Sequence, residues 1–288
     1  MQTRALETLV RINDVQSFSK AAELQNMTLS ALSMQMKALE TELGADLFDR
    51  NFRPPKLTPL GRLVAERARA LLREEQAIVG ICGTATVLHG VFQIGFVHSA
   101  SVRILPGFIK LARGHVSEAQ FRFSSALSEI LESRVAAGQI DCAVITSAGQ
   151  KDDTLRYDVI ASEVMSIAAP ADQRGANFDA LSARLPFIHF RPSTGIGKLI
   201  AGFVRNRPPS NQQTLVLDSI ESCMECVKAG LGYTILPRPD IVRYADENVC
   251  VADLKEQPIS RNLVLVSRRS EPNPQWVAVI YDLLLKAV

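Results

Sequence analysis

The first part of the chain carries apolar residues at the spacing of short amphipathic helices. Apolar positions 6, 9, 10 and 12 predict a first helix, and FSKAAELQ after Ser17 predicts a second. Asn26 tolerates turn conformations, and Thr28 can cap a third helix. Apolar positions 32, 36, 39 and 43 form the predicted core face of this third helix.

The segment after the third helix changes character. ADLFDRNFRPPKLTP contains two adjacent prolines, which break any helix, so it predicts a short extended hairpin or wing. Thr58 followed by Pro59 then marks a helix start. Apolar positions recur for about 20 residues beyond it, opposite a charged side, as in helices that pack on a partner helix. Residues 83–90, with a glycine at each end, predict a hinge.

From residue 91 the pattern alternates between strands and helices. VFQIGFV and DCAVIT have the composition of buried strands, and SEILESRVAAG between them has helical spacing. The alternation continues through PFIHF and YTILP to a final helix, PQWVAVIYDLLLKA. Strands that alternate with helices predict an α/β domain with a parallel sheet.

Composition places the chain among ordinary globular proteins. Its 288 residues are 47% hydrophobic and 22% charged, and the length suffices for two domains. There is no run of eighteen apolar residues and no secretory signal at the N-terminus. We therefore expect a cytoplasmic protein without a membrane partner. Five scattered cysteines are expected to be free thiols in a reducing compartment.

The third predicted helix has a second face that is small, hydroxylic or softly apolar. This face consists of Leu29, Ser30, Ser33, Met34 and Lys37. A short helix, a tight turn and a helix with such a face form a helix-turn-helix, whose second helix enters the DNA major groove. The alternative is a pair of short helices that pack together in any α-helical domain.

Under the helix-turn-helix hypothesis, each residue type has a role on DNA. Serine hydroxyls can bond to bases and apolar side chains can contact a thymine methyl group. Cations of the third helix and of the wing would hold backbone phosphates. The predicted DNA contacts are Thr28, Leu29, Ser30, Ser33, Met34, Lys37, Arg50, Arg53 and Lys56. Acidic and basic residues balance over 1–58, so non-specific binding should be modest.

The stretch from SFSKAAELQ to KLTPLG resembles the N-terminal signature of the LysR-type transcriptional regulators. The matching pieces are Ser17-Phe18, Ala21-Ala22, Ser33, Leu39-Glu40, Leu43-Gly44, Leu47-Phe48, Arg50, Leu57-Thr58 and Gly61. Two departures concern base readout: Leu29-Ser30 replaces a frequent Gln-Pro, and Met34 replaces a frequent Arg. The operator sequence therefore cannot be carried over from the family, and DNA shape should contribute to recognition.

The resemblance implies a complete domain organisation. It implies an all-α winged helix-turn-helix domain at 1–58 and a linker helix for dimerisation, with a hinge, at 59–87. An effector-binding domain at 88–288 would have two α/β lobes resembling type 2 periplasmic binding proteins. Lobe I would comprise about 91–161 and 268–288, and lobe II about 162–267. The expected assembly is a homodimer or homotetramer.

In such a domain, strand-to-helix turns line the cleft between the lobes. Helix N-termini favour anions, and an arginine fork suits a carboxylate. We expect a small, anionic organic effector, and its predicted contacts are His98, Ser99, Ser101, Ser128, Arg191, Ser193, Thr194 and Ser219. The alternative is that the serines only cap helices and that the histidine is structural.

The sequence also contains two stretches that resemble a phosphate loop and a redox or metal site. STGIGK lacks a phosphate loop's first glycine, replaced by Pro192, and its hydroxyl residue, replaced by Leu199. Cys223 and Cys226 could form a redox pair or be buried thiols, and no second ligand pair has zinc spacing. No GxSxG, HExxH or glycine-rich dinucleotide turn occurs. We expect no enzymatic activity, no metal and no cofactor.

The leading hypothesis is a ligand-responsive, sequence-specific DNA-binding transcriptional regulator. One alternative is a redox-sensing regulator that uses Cys223 and Cys226 on the same scaffold. Another is a ligand-binding α/β protein whose N-terminal helices only mediate assembly.

Overall fold

A computed structural model describes residues 2–82, 88, 90–115, 119–147, 151–211, 213–254, 257–271 and 274–288. The chain divides into two compact units, Met1–Gly90 and Val91–Val288. Within the described residues, no helix is both long enough and apolar enough to cross a membrane.

The first unit contains the predicted helices and hairpin. Its elements are α1 (Thr3–Val15), α2 (Phe18–Leu24), α3 (Leu29–Leu43), β1 (Phe48–Asp49), β2 (Lys56–Leu57) and α4 (Pro59–Cys82). Ser17 caps α2 by accepting from the Lys20 amide, and Thr28 caps α3 by accepting from the Ala31 amide. The turn between them passes through Asn26 at φ 53°. Local sequence signals therefore placed these elements correctly.

The core of the first unit lies between α1, α3 and the hairpin. Leu9, Leu32 and Leu47 are fully buried in this apolar cluster. Leu43, predicted to face the core, is 39% exposed. The reason is that the last turn of α3 extends beyond the cluster. The buried position beside the hairpin is occupied by Glu40 instead.

Helix α4 has 24 residues, slightly more than predicted. Ala65 and Ala68 are buried in the core of the first unit. On its other sides, Leu60, Leu63 and Ile78 are 46%, 50% and 63% exposed in the single chain. Burial of such side chains is favourable, so this helix presents apolar surface to a further partner. Most of the predicted hinge, 83–87 and 89, lies outside the described residues.

The second unit contains one continuous nine-stranded sheet. Its strands are β3 (Gly90–Phe96), β4 (Ala119–Ser125), β5 (Cys142–Ser147), β6 (Leu155–Pro170), β7 (Phe187–Phe190), β8 (Thr214–Leu217), β9 (Tyr233–Pro237), β10 (Val249–Asp253) and β11 (Ser260–Arg268). Their order is β4-β3-β5-β11-β6-β9-β7-β8, and β10 pairs with β6. The helices are α5 (His98–His115), α6 (Ser128–Ala136), α7 (Phe178–Arg184), α8 (Gly195–Asn206), α9 (Ile220–Lys228), α10 (Arg238–Tyr244) and α11 (Gln275–Ala287).

The sheet is mixed, so the prediction of a parallel sheet is only partly right. β3 pairs with β5, and β7 with β8 and β9, in parallel. β11 is antiparallel to β5 and β6, and β6 is antiparallel to β9 and β10. Each of these antiparallel pairs involves β6, along which the chain leaves lobe I, or β11, which begins where the chain re-enters it.

Strand β6 divides the second unit into its two lobes. Over Leu155–Val164 it pairs with β11, and from Met165 onward with β9 and β10. The chain thus passes into lobe II between residues 164 and 165, where we expected about 161. It returns just before Ser260, because the whole of β11 pairs within the lobe I sheet. The return expected near residue 268 therefore moves to about 260.

Each lobe has its own apolar core. In lobe I, Phe108 of α5 is buried, as are Phe96 of β3 and Val144 of β5. Phe108 packs edge-on against Phe121, with the ring centroids 5.4 Å apart. In lobe II, a separate cluster surrounds Ile188. The two short helices α7 and α10, seven residues each, were not predicted. Seven residues span only two turns and give little periodic pattern; α2, of the same length, was predicted from the capping Ser17 before it.

Candidate functional site

The exposed face of α3 is the first candidate site. Leu29, Ser30, Ser33, Met34 and Lys37 are all exposed, opposite buried residues of the core face. Met34 is 71% exposed, which is unusual for a large apolar side chain unless the surface meets a partner. Thr28 stands at the start of this face, and its hydroxyl accepts the Ala31 amide at 3.1 Å. The face therefore projects from a capped, well-anchored helix.

The hairpin is tied to α3 by a buried carboxylate. Glu40 Oε1 accepts from the amides of Leu47 at 2.9 Å and Phe48 at 3.0 Å. Glu40 Oε2 accepts from Arg50 Nη2 at 2.7 Å. Arg50, a predicted phosphate contact, is thus oriented by α3 while its side chain stays 60% exposed. The carboxylate fixes the position of the wing relative to the third helix.

The wing tip carries the other predicted cations. Arg53 and Lys56 are both exposed, and Lys56 Nζ lies 4.4 Å from the centroid of the Phe52 ring. Phe52 itself is 45% exposed. Phe52 is not among the DNA contacts predicted from the sequence. An aromatic residue close to charged residues in a turn could have indicated it. The ring face attracts the lysine ammonium group and holds it at the wing tip.

The second candidate site is a cavity of about 590 Å³ between the lobes of the second unit. The first residues of four helices line it: His98 of α5, Ser128 of α6, Gly195 of α8 and Ile220 of α9. Each helix N-terminus presents unpaired amide groups and the positive end of the helix dipole. Four such ends on one cavity favour a negatively charged ligand.

Six predicted effector contacts line this cavity. They are His98, Ser99, Ser128, Arg191, Thr194 and Ser219. The structure adds three polar residues that were not selected from the sequence, namely Ser125, Thr146 and Asp218. Thr146 is the penultimate residue of β5 and Asp218 follows β8, so a position at the carboxyl end of a strand was the available signal.

Two of the predicted hydroxyl donors are already used within their own turns. Thr194 Oγ1 accepts the Gly197 amide at 2.9 Å and donates to the Arg191 carbonyl at 2.9 Å. Ser219 Oγ accepts the Ser222 amide at 3.0 Å and lies 3.2 Å from the Ser222 hydroxyl. Both residues therefore cap helices, as the alternative had proposed, and shape the wall.

Two other hydroxyls are available to a ligand. Arg261 Nη1 donates to Ser99 Oγ at 2.8 Å. Because Arg261 occupies an acceptor position of that oxygen, the Ser99 proton can be donated toward the cavity. The Ser128 hydroxyl is buried and has no hydrogen-bond partner among the described residues. A buried hydroxyl without a partner is unfavourable, and a ligand oxygen would satisfy it.

Two predicted effector contacts do not line the cavity. Ser101 lies one turn inside α5, where its hydroxyl donates to the His98 carbonyl at 2.8 Å. Ser193 Oγ accepts from Arg191 Nε at 3.1 Å and so orients that guanidinium. The Ser101 hydroxyl thus bonds to the helix backbone, and the Ser193 hydroxyl bonds to a neighbouring side chain. Residue spacing alone does not show the direction in which a side chain points.

Charges around the cavity are asymmetric. Asp218 adds a carboxylate to the lobe II wall, whereas the available hydroxyls of Ser99 and Ser128 belong to lobe I. Arg191 stands on the same lobe II wall and adds a positive charge. Glu129 of α6 and Lys198 of α8 form an exposed ion pair between the lobes beside cavity-lining Ile130. Such an exposed pair contributes little to stability.

The cysteine pair has the environment of structural thiols. Cys223 is fully buried in the lobe II core, and this burial raises the pKa of its thiol to about 12. Cys226, one helical turn later on α9, is partly exposed. The thiolate is the reactive form of cysteine, so Cys223 is held in its unreactive form at neutral pH. The described residues contain no cluster of histidine, cysteine or carboxylate side chains that could hold a metal ion.

Comparison with protein families assigns both units. Residues 3–62 match the bacterial regulatory helix-turn-helix protein of the lysR family. Residues 85–288 match the LysR substrate binding domain.

The chain belongs to the LysR family. It is accordingly a ligand-responsive transcriptional regulator, with a DNA-binding domain in the first unit and a small-molecule effector domain in the second.

Individual LysR-type relatives are similar over nearly the whole chain. The HTH-type transcriptional regulator EstR of Acinetobacter baylyi is 26% identical, over 98% of this chain and 95% of its own length. A hydrogen peroxide-inducible genes activator of Pectobacterium carotovorum is 24% identical, over 94% of this chain and 92% of its own. The structure of a full-length OxyR variant from Pseudomonas aeruginosa has a TM-score of 0.76 at 22% identity, covering 99% of this chain and 94% of that one. This likeness shows the LysR-type fold.

Proposed function

We propose that α3 and the wing read an operator, and that a small organic anion bound between the lobes sets the regulatory state. The observation that carries the effector proposal is the cavity wall, where four helix N-termini converge with the available hydroxyls of Ser99 and Ser128. Arg191, exposed at the same cavity, would pair with a carboxylate or sulfonate.

We also propose roles for the three segments of the chain. Residues 1–58 bind DNA, 59–87 connect and dimerise, and 88–288 bind effector. The exposed apolar positions of α4 support pairing with a second copy, as a dimer or a dimer of dimers. Such a regulator requires no catalytic residues, cofactor or metal, and would act in the cytoplasm on double-stranded DNA. Thus we propose that it is not an enzyme.

The DNA face predicts the result of one double substitution. Ser33→Ala plus Lys37→Ala should lower operator affinity about 10–100-fold, because it removes one candidate base contact and one phosphate contact. The plot of log affinity against log salt should lose about one unit of slope with the lysine. Fluorescence anisotropy would measure both, on DNA that the wild-type protein selects from a random pool.

The control for this experiment removes the same residue types elsewhere. Ser133→Ala plus Lys286→Ala changes exposed residues of the effector domain and should leave DNA affinity unaltered. Unchanged operator affinity in the α3 double variant would show that the assigned face does not contact DNA.

A thermal-shift screen tests the effector class. Carboxylates and sulfonates should stabilise the protein, whereas amines should not, because the cavity wall is built of helix N-termini and hydroxyl donors. A ligand at one hundred times its dissociation constant adds about 2.7 kcal/mol. Arg191→Gln should reduce the shift produced by the active anion.

Arg205→Gln is the matched control for this screen. Arg205 is exposed near the C-terminal end of α8 and does not line the cavity. Its substitution should leave the ligand-induced shift as in the wild type. A screen in which only amines stabilise the protein would refute the anion proposal.

The likeness to a peroxide-inducible activator and to OxyR raises the redox alternative for this chain. The environment of Cys223 opposes it, because a fully buried thiol with a raised pKa reacts slowly with oxidants. We therefore favour effector binding over redox sensing as the regulatory signal.

A further inference from the structure

Four charged side chains meet at the junction of the two lobes. They come from four elements: Arg103 from α5, Glu163 from β6, Asp240 from α10 and Arg261 from β11. Arg261 is fully buried, Glu163 and Asp240 are 4% exposed, and Arg103 is 15% exposed. Two positive and two negative charges balance. We call these four residues the junction cluster.

Two members of the junction cluster stand on the crossing strands themselves. Arg261 and Glu163 are directly opposite in the β11–β6 register. Arg261 Nε donates to Glu163 Oε2 at 2.8 Å, and Arg261 Nη2 reaches the same oxygen. Val164, the next residue, is the last of β6 to pair with β11. The pair therefore lies at the point where the chain leaves lobe I.

The other two members join the lobes across this point. Arg103 of lobe I donates from Nε to Asp240 Oδ1 of lobe II at 3.0 Å, and its Nη2 contacts Glu163. Arg261 Nη2 lies 3.1 Å from Asp240 Oδ2. That contact lacks hydrogen-bond geometry, so Oδ2 is buried and has no hydrogen-bond partner among the described residues. Asp240 is thus held by one arginine of a lobe I helix and one of a crossing strand.

The junction cluster also reaches the effector cavity. Arg261 Nη1 donates to Ser99 Oγ, and Ser99 lines the cavity. One guanidinium thus contacts the crossing strand, lobe II and the cavity wall. Burial raises the pKa of Asp240 despite its two arginine neighbours, so desolvation offsets much of the attraction. A buried ion cluster is therefore a weak source of stability, and its defined geometry is the property that can matter here.

We propose that Arg103, Glu163, Asp240 and Arg261 are positioning residues that fix the angle between the lobes and direct the Ser99 hydroxyl into the cavity. Only the role of Ser99 rests on the proposed effector function. The fixing of the lobes is independent of any ligand, and a change in that angle is the kind of hinge motion that regulators use.

Hydrogen–deuterium exchange of the full chain without effector tests the proposal. Arg103→Gln and Asp240→Asn should each accelerate exchange about tenfold in 238–244 and at the crossing strands, 160–164 and 260–264. Exchange in β3 and β7, which pair with neither crossing strand, should stay as in the wild type. The double variant should accelerate exchange by less than the product of the two single effects, because both substitutions remove the Arg103–Asp240 contact.

Arg238→Gln is the matched control, since Arg238 begins the same helix and forms an exposed ion pair with Asp253. Hydrogen–deuterium exchange in the Arg238→Gln variant should match that of the wild type. Acceleration throughout both lobe cores would show a merely structural role and overturn the proposal, as would an additive double variant or unaltered exchange. Because no ligand is used, the result is independent of the thermal-shift screen. Either proposal can fail alone.

Discussion

Glu40→Ala is expected to destabilise the DNA-binding domain by about 2–6 kcal/mol, because it removes the acceptor of two buried backbone amides. The carboxylate accepts from the Leu47 and Phe48 amides and from Arg50. Its loss leaves two buried amides without an acceptor, each costing about 1–3 kcal/mol. Domains are stable by only about 5–15 kcal/mol. Operator binding should therefore be lost with the position of the wing.

Urea unfolding of the full chain, followed by far-UV circular dichroism, measures this effect as an early loss of helix. Glu40→Gln keeps an oxygen for the two amides and should be intermediate. Glu23→Ala removes an exposed glutamate of α2 and should change stability by less than about 0.5 kcal/mol. If Glu40→Ala unfolds at the same urea concentration as Glu23→Ala, the carboxylate does not hold the wing.

Gly197→Ala is expected to abolish the effector response while DNA binding survives. A Cβ at this position would lie 2.0 Å from the Arg191 carbonyl oxygen and 2.8 Å from Pro192 Cα. Both contacts are with backbone, so the turn that carries Arg191 and Thr194 along the cavity must move. Overpacking of this kind costs roughly 1–3 kcal/mol. The first unit has its own core, so the cost should be confined to the effector domain.

Gly202→Ala on the same helix is the matched control. A Cβ there meets nothing within 4 Å, and alanine inside a helix should stabilise by about 0.5–1 kcal/mol. Thermal shift with the active anion would compare the two variants, and anisotropy would confirm operator binding. An unimpaired ligand response in Gly197→Ala would mean that the turn after β7 does not shape the effector site.

The sequence by itself determined the local elements and the two faces of α3. Helix caps at Ser17 and Thr28, the proline after Thr58 and the strand–helix alternation act over a few residues, so their signals survive in the sequence. The exposed face of α3 followed from the same periodicity. Resemblance then assigned the family, and six of eight predicted effector residues do line the cavity.

Only the tertiary structure decided what depends on distant residues. The direction of β6 and β11 and the burial of Glu40 in place of Leu43 needed packing partners to be known. Ser99 becomes a donor to the cavity through Arg261, 162 residues away in the chain. Period and spacing describe one element at a time. The hydrogen-bond partners of a side chain can come from any element that packs against it. These partners are therefore determined only when the elements have packed.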